Sequence, residues 1–128
     1  MRIYHRLTLA ALPFLLCLAQ TGAAQTPPRK VVEVTAKRFT FDPAEITVDE
    51  GTQLEIRLRS NDTTHGFRIK GTTTTVTVPE GGEVVSVKFD ATTPGRYEFA
   101  CSKMCGAGHR GMKGAIVVKP RGSSSQQK

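Results

Sequence analysis

The sequence predicts an all-β chain folded as a Greek-key sandwich of roughly seven to eight short strands, on three observations. Apolar residues alternate with polar ones in short runs, turn-forming residues separate those runs at close intervals, and no stretch sustains a helical period. Alternation gives each strand one apolar face and one wet face, which suits two sheets packed over a shared core.

In chain order the apolar positions are Val32 and Val34, then Leu54, Ile56 and Leu58, then Val76 and Val78. They continue with Val85, Val87 and Phe89, then Tyr97 and Phe99, and end with Ile116 and Val118, with Glu, Arg, Lys or Thr in most of the gaps. Turn chemistry falls between the runs at Asp42-Pro43, Glu50-Gly51, Asn61-Asp62, Glu80-Gly81-Gly82 and Thr93-Pro94-Gly95. No internal repeat and no second domain is visible.

Ahead of this domain, Arg2 and Arg6 lead into an apolar stretch from Leu7 to Ala19, interrupted by Pro13 and followed by Gly22, Ala23 and Ala24. That pattern reads as a secretory signal peptide over residues 1–24, too short to persist as a spanning anchor. Cys17 lies behind Leu15 and Leu16, where a lipidated cysteine would follow small residues. The expected product is therefore a periplasmic protein without a membrane anchor. Residues 25–30 read as a flexible lead, 31–120 as the domain and 121–128 as a Ser- and Gln-rich disordered tail.

Cleavage after Ala24 would leave 104 of the 128 residues, near the usual size of one domain. It would remove Arg2 and Arg6 from a chain of formal charge +7 and leave it moderately basic. It would also remove Cys17 and His5, leaving Cys101, Cys105, His65 and His109 as the cysteines and histidines of the mature chain.

A sandwich is equally the frame of an immunoglobulin-like interaction module, so the loops must decide the function. The segment Cys101-Ser-Lys-Met-Cys-Gly-Ala-Gly-His-Arg-Gly-Met112 places Cys101, Cys105, His109 and Met112 at the spacing Cys-x3-Cys-x3-His-x2-Met. Gly106, Gly108 and Gly111 give a short loop the freedom to turn those donors inward. Thiolate, imidazole and thioether together form a soft set that suits copper. His65, at the start of a strand-like segment, is the remote fifth donor, because strand-connecting loops of a sandwich converge at its ends. A Cys2His2 zinc site would use the same strong donors but give Met112 no role, and a mononuclear blue-copper site would leave Cys101 idle. A disulfide between Cys101 and Cys105 is open as an oxidised, metal-free form.

The loop resembles the CuA site of cytochrome c oxidase subunit II and nitrous oxide reductase, following Cys-Ser-x-x-Cys-Gly-x-x-His-x-x-Met throughout. Ser60-x-Asp62-x-x-His65-x-Phe67 is similar to the segment carrying that family's first histidine, and Pro94-Gly95-x-Tyr97 to its approach to the first cysteine. The resemblance implies a cupredoxin-type sandwich in which Cys101 and Cys105 bridge two copper ions, His65 and His109 each cap one, Met112 is a weak ligand and the Lys103 carbonyl is the last donor. It implies a monomer that carries single electrons to and from a redox partner protein, a cytochrome or another copper protein. The alternative is a copper carrier or chaperone that hands the metal on.

Three features depart from the oxidase subunits. The chain lacks their two transmembrane helices; it contains no tryptophan to receive electrons; and Lys103 stands where a magnesium-binding glutamate is usual. Lys103, Arg110 and Lys113 instead make the ligand loop basic, which fits either a solvated rim or a face for an acidic partner. Both histidines are committed to the metal set, so no catalytic triad is available and the chain is not expected to be an enzyme. Phosphate-binding loops and aromatic-lined basic strips for nucleic acid are lacking.

Overall fold

The computed structural model describes residues 25–122, so the predicted signal peptide and residues 123–128 of the predicted tail lie outside the described residues. Nine strands follow in order: β1 (Arg29–Lys37), β2 (Thr40–Asp42), β3 (Glu45–Asp49), β4 (Gln53–Ser60), β5 (His65–Ile69), β6 (Thr75–Val78), β7 (Val85–Asp90), β8 (Gly95–Ala100) and β9 (Lys113–Lys119). They form a four-stranded sheet in the order β2-β1-β4-β7 and a five-stranded sheet in the order β3-β9-β8-β5-β6. The one helical turn among the described residues is a 3-10 turn at His109–Gly111.

The all-β sandwich is as the sequence predicts, with more strands than expected. Pro43 has no N–H to give a ladder, so the chain breaks there and its two halves join opposite sheets, β2 against β1 and β3 against β9. The sheets are mixed rather than purely antiparallel. The chain crosses between layers instead of returning by hairpins, which leaves β1 parallel to β4 and β3 parallel to β9.

Alternation predicts the core correctly. Val34, Leu54, Ile56, Leu58, Val78, Val87, Phe89, Phe99, Ile116 and Val118 are buried, whereas Val32, Val76, Val85 and Tyr97 are partly buried against the core. At the heart of the sandwich, Phe41, Phe67 and Phe99 form an aromatic triad with ring centroids 5.0 to 5.6 Å apart. Phe67 lies two residues after His65 and Phe99 two before Cys101, so the triad ties the strands that enter the candidate site to the core. Gly114, opposite Phe99 in the ladder, makes room for it: a Cβ there would lie 2.4 Å from the ring.

Residues at both ends of the described chain bond to the sandwich. Arg29 and Lys30 belong to β1, where Arg29 pairs with Gln53 and the Lys30 ammonium donates to the Thr47 carbonyl. Arg121 folds back so that its Nε donates to the Glu50 carbonyl at 3.3 Å.

Candidate metal centre

The long connection between β8 and β9 carries Cys101 and Cys105 and ends at Met112. It is closed at its base by a hydrogen bond from the Cys101 N–H to the Met112 carbonyl at 3.0 Å, directly above the β8–β9 ladder. Near its far end the 3-10 turn is held by the Gly111 N–H on the Gly108 carbonyl, and the His109 N–H is bonded to the Gly106 carbonyl. His65 opens β5, opposite Val78 of β6.

The glycines of this region have different roles. Gly106 has φ of +140°, a conformation that disfavours a side chain. Gly108 has an ordinary φ of −86° and is required by space, since a Cβ there would lie 2.2 Å from the Phe39 ring. Gly111 has neither constraint. Gly66 is the contact point of the two segments that carry the predicted donors, for a Cβ on it would lie 2.7 Å from the Lys103 nitrogen and 2.1 Å from the Ser102 hydroxyl oxygen.

All six predicted positions meet here. The sulfurs of Cys101 and Cys105 face each other at 3.7 Å, far beyond a disulfide bond, and both thiols are free and buried. His65 is fully buried, and one of its ring nitrogens lies with both sulfurs in a cluster whose atoms are all within 4.8 Å of one another. The Cys105 sulfur is 3.8 Å from both His109 Nδ1 and Met112 Sδ. The Lys103 carbonyl turns inward, accepting the Cys101 thiol at 3.0 Å, while Met104 beside it stands 77% exposed.

The donors fit a soft metal. His65 Nδ1 is buried without a hydrogen-bond partner, an arrangement that costs free energy unless another group meets the nitrogen. Its other nitrogen, Nε2, is 2.7 Å from Asp62 Oδ1, the kind of outer carboxylate contact that orients metal-binding histidines. Burial resists ionisation of Asp62, but hydrogen bonds from His65 and from the Arg38 and Thr63 N–H groups outweigh it and hold the carboxyl down at about 2. The Cys105 thiol is pushed above its ordinary range, first by burial and then by the adjacent Cys101 sulfur. A thiol placed as Cys105 is holds its proton until a metal displaces it.

Residues 8–118 match the cupredoxin-like domain family. The chain belongs to that family. The match begins inside the segment read as a signal peptide, and it covers the whole sandwich up to Val118 of β9. This cupredoxin-like chain is homologous to cytochrome c oxidase subunit 2 of Thermus thermophilus, with 38% identity over 102 residues that make up 80% of this chain and 72% of that protein. It superposes on a chain from the cryo-EM structure of a heme-copper terminal oxidase dimer with a TM-score of 0.63 and 32% identity, covering 70% of this chain and 65% of that one. The chain thus spans about two thirds of the length of that oxidase chain. Auracyanin A, a blue copper protein of Chloroflexus aurantiacus, shares the fold with a TM-score of 0.58 and 20% identity over 71% of this chain and 99% of its own. Among the described residues, no helix is long and apolar enough to cross a membrane.

The structure gathers the sequence-predicted donor positions at one end of the sandwich, and the residues that brace them carry no signal of that role in the sequence. Asp62 was visible as part of a pattern but not as the partner of His65. Gly66, Arg38 and Phe39 carried no motif, because their importance comes from contacts with loops distant in sequence.

Proposed function

We propose that this chain is a copper protein that carries single electrons through a CuA-type centre of two copper ions. The ligands are the side chains of His65, Cys101, Cys105, His109 and Met112 with the carbonyl of Lys103. The observation that carries this reading is the pair of buried, unlinked sulfurs of Cys101 and Cys105 facing each other at 3.7 Å, with histidine nitrogens beside them. A mononuclear site would leave one of these thiols without a role, and a zinc site would give Met112 none.

Copper supplies one-electron redox chemistry to such a site. The chain contributes rigidity: the loop is closed at its base by the Cys101 N–H on the Met112 carbonyl, and the aromatic triad anchors both entering strands. Donors that need not move when charge changes keep the reorganisation cost of electron transfer low. Burial of Cys101, Cys105, Met112 and His65 keeps water from competing for the metal. The same burial favours retention over delivery, since a carrier must expose its ligands to a recipient. Repeated reduction and reoxidation of the copper-loaded protein beside a moderate chelator should leave the copper bound. Loss of copper in each reduced phase would support the chaperone alternative instead.

The protein works as a monomer in the periplasm after removal of residues 1–24, a reading supported by the basic, apolar and small-residue order of that segment. Its partner is a redox protein, a cytochrome or copper protein, that presents an acidic face. Exposed Lys103, Arg110 and Lys113 surround the loop, and Met104 offers an apolar contact among them. The rate of electron exchange with such a partner should fall as ionic strength rises. A rate indifferent to salt would remove the acidic partner.

A further inference from the structure

The turn between β1 and β2 bonds both ligand-bearing segments without contributing a predicted ligand. The Arg38 N–H donates to Asp62 Oδ2 at 2.7 Å, and the other oxygen of that carboxylate meets His65 Nε2 at 2.7 Å. The Arg38 side chain reaches the other way, its Nε donating to the Cys105 carbonyl at 2.9 Å. Its neighbour Phe39 lies over the next part of the loop, occupying the space that Cβ atoms on Gly106 and Gly108 would need, at 2.9 and 2.2 Å.

We propose that Arg38 is a positioning residue of the metal centre, a clasp that fixes Cys105 relative to His65 while Phe39 holds down the glycine-rich stretch that follows. The idea rests on the copper reading for its ligand, but the clasp itself exists in the metal-free fold. A loop with glycines at 106, 108 and 111 has backbone freedom to lose, and the Cys105 carbonyl is the point at which this turn removes it. Arginine suits the role because Nε donates from a planar group at a fixed distance from the backbone. Its charge also favours the Cys105 thiolate, so position and charge must be separated by chemistry.

Glutamine carries a neutral N–H donor the same number of bonds from the backbone as Arg38 Nε. Lysine keeps the charge but places its donor one bond further out. The test compares wild type with Arg38→Ala, Arg38→Gln and Arg38→Lys in two measurements. One is copper release from the loaded protein to a competing chelator; the other is hydrogen exchange of the His109 amide in the reduced, metal-free protein, where that amide bonds the Gly106 carbonyl. The clasp predicts that alanine and lysine accelerate both processes roughly tenfold, the lower end for loss of an outer-shell contact, while glutamine stays near wild type. Alanine at wild-type rates in both, or glutamine as fast as alanine, would overturn it. Faster copper release that lysine restores, with amide exchange unchanged, would make Arg38 a purely electrostatic residue and would also overturn it. Arg38 is exposed, and if the alanine variant fails to fold, the contrast between glutamine and lysine still decides. If wild type binds no copper, the copper reading fails in that arm alone and amide exchange still judges the clasp.

Discussion

Replacing Cys101 by serine is expected to reduce the copper content from two ions per chain to one and to convert the visible spectrum to that of a single thiolate-bound copper. The prediction follows from the division of donors around the two sulfurs. Cys105 lies 3.8 Å from His109 Nδ1 and 3.8 Å from Met112 Sδ, so Cys105, His109, Met112 and His65 form a mononuclear set without Cys101. Cys101 adds a second sulfur at 3.7 Å, and its thiol donates to the Lys103 carbonyl at 3.0 Å. Serine is nearly isosteric but offers a hard oxygen, so it should preserve the loop while removing the soft bridge. Copper counted by elemental analysis after reconstitution and desalting checks the result. A variant that still bound two ions would show that Cys101 is not a bridge.

Replacing Phe99 by alanine is expected to cost about 3–5 kcal/mol of folding stability, the range for a buried phenylalanine whose cavity cannot collapse. Collapse is hindered here because Phe99 packs against both Phe41 and Phe67, 5.4 and 5.0 Å away between ring centres, and the backbone of Gly114 already lies close beneath it. For a domain of ordinary stability this is a large fraction of the total. Chemical denaturation of the reduced, metal-free variant should show a lower midpoint with an unchanged slope. The copper-loaded variant should recover part of the loss, because a ligand that binds only the folded state stabilises it. A loss below about 1 kcal/mol would mean that the triad is not the anchor of the site.

Much of this was legible in the sequence because the relevant signals are local. The strands were readable from period-two alternation, since every side chain of one parity in β4 is buried: Leu54, Ile56, Leu58 and Ser60. The candidate donors stand out because Cys101, Cys105, His109 and Met112 lie within one connection, and the structure keeps them together. The parallel pairings were not readable, because β1 and β4 become neighbours only through the path of β2 and β3 between the sheets. Nor could spacing reveal why Gly66 and Gly108 are glycines. Gly66 makes room for Ser102 and Lys103, and Gly108 for Phe39, neighbours that exist only once the loops have been stacked on one end of the sandwich. Arg38 is the sharpest case: an exposed arginine in a basic chain carries no signal until its side chain is seen to reach Cys105, 67 residues away.

In the proposed function, Cys101 and Cys105 would hold two copper ions as one redox unit. Electron paramagnetic resonance of the reconstituted protein, combined with a copper count, tests it most directly. A binuclear centre should give two coppers per chain and one unpaired electron, with hyperfine splitting from two equivalent copper nuclei. A signal split by a single copper nucleus, with one copper per chain, or a silent protein that takes up zinc in preference, would contradict it.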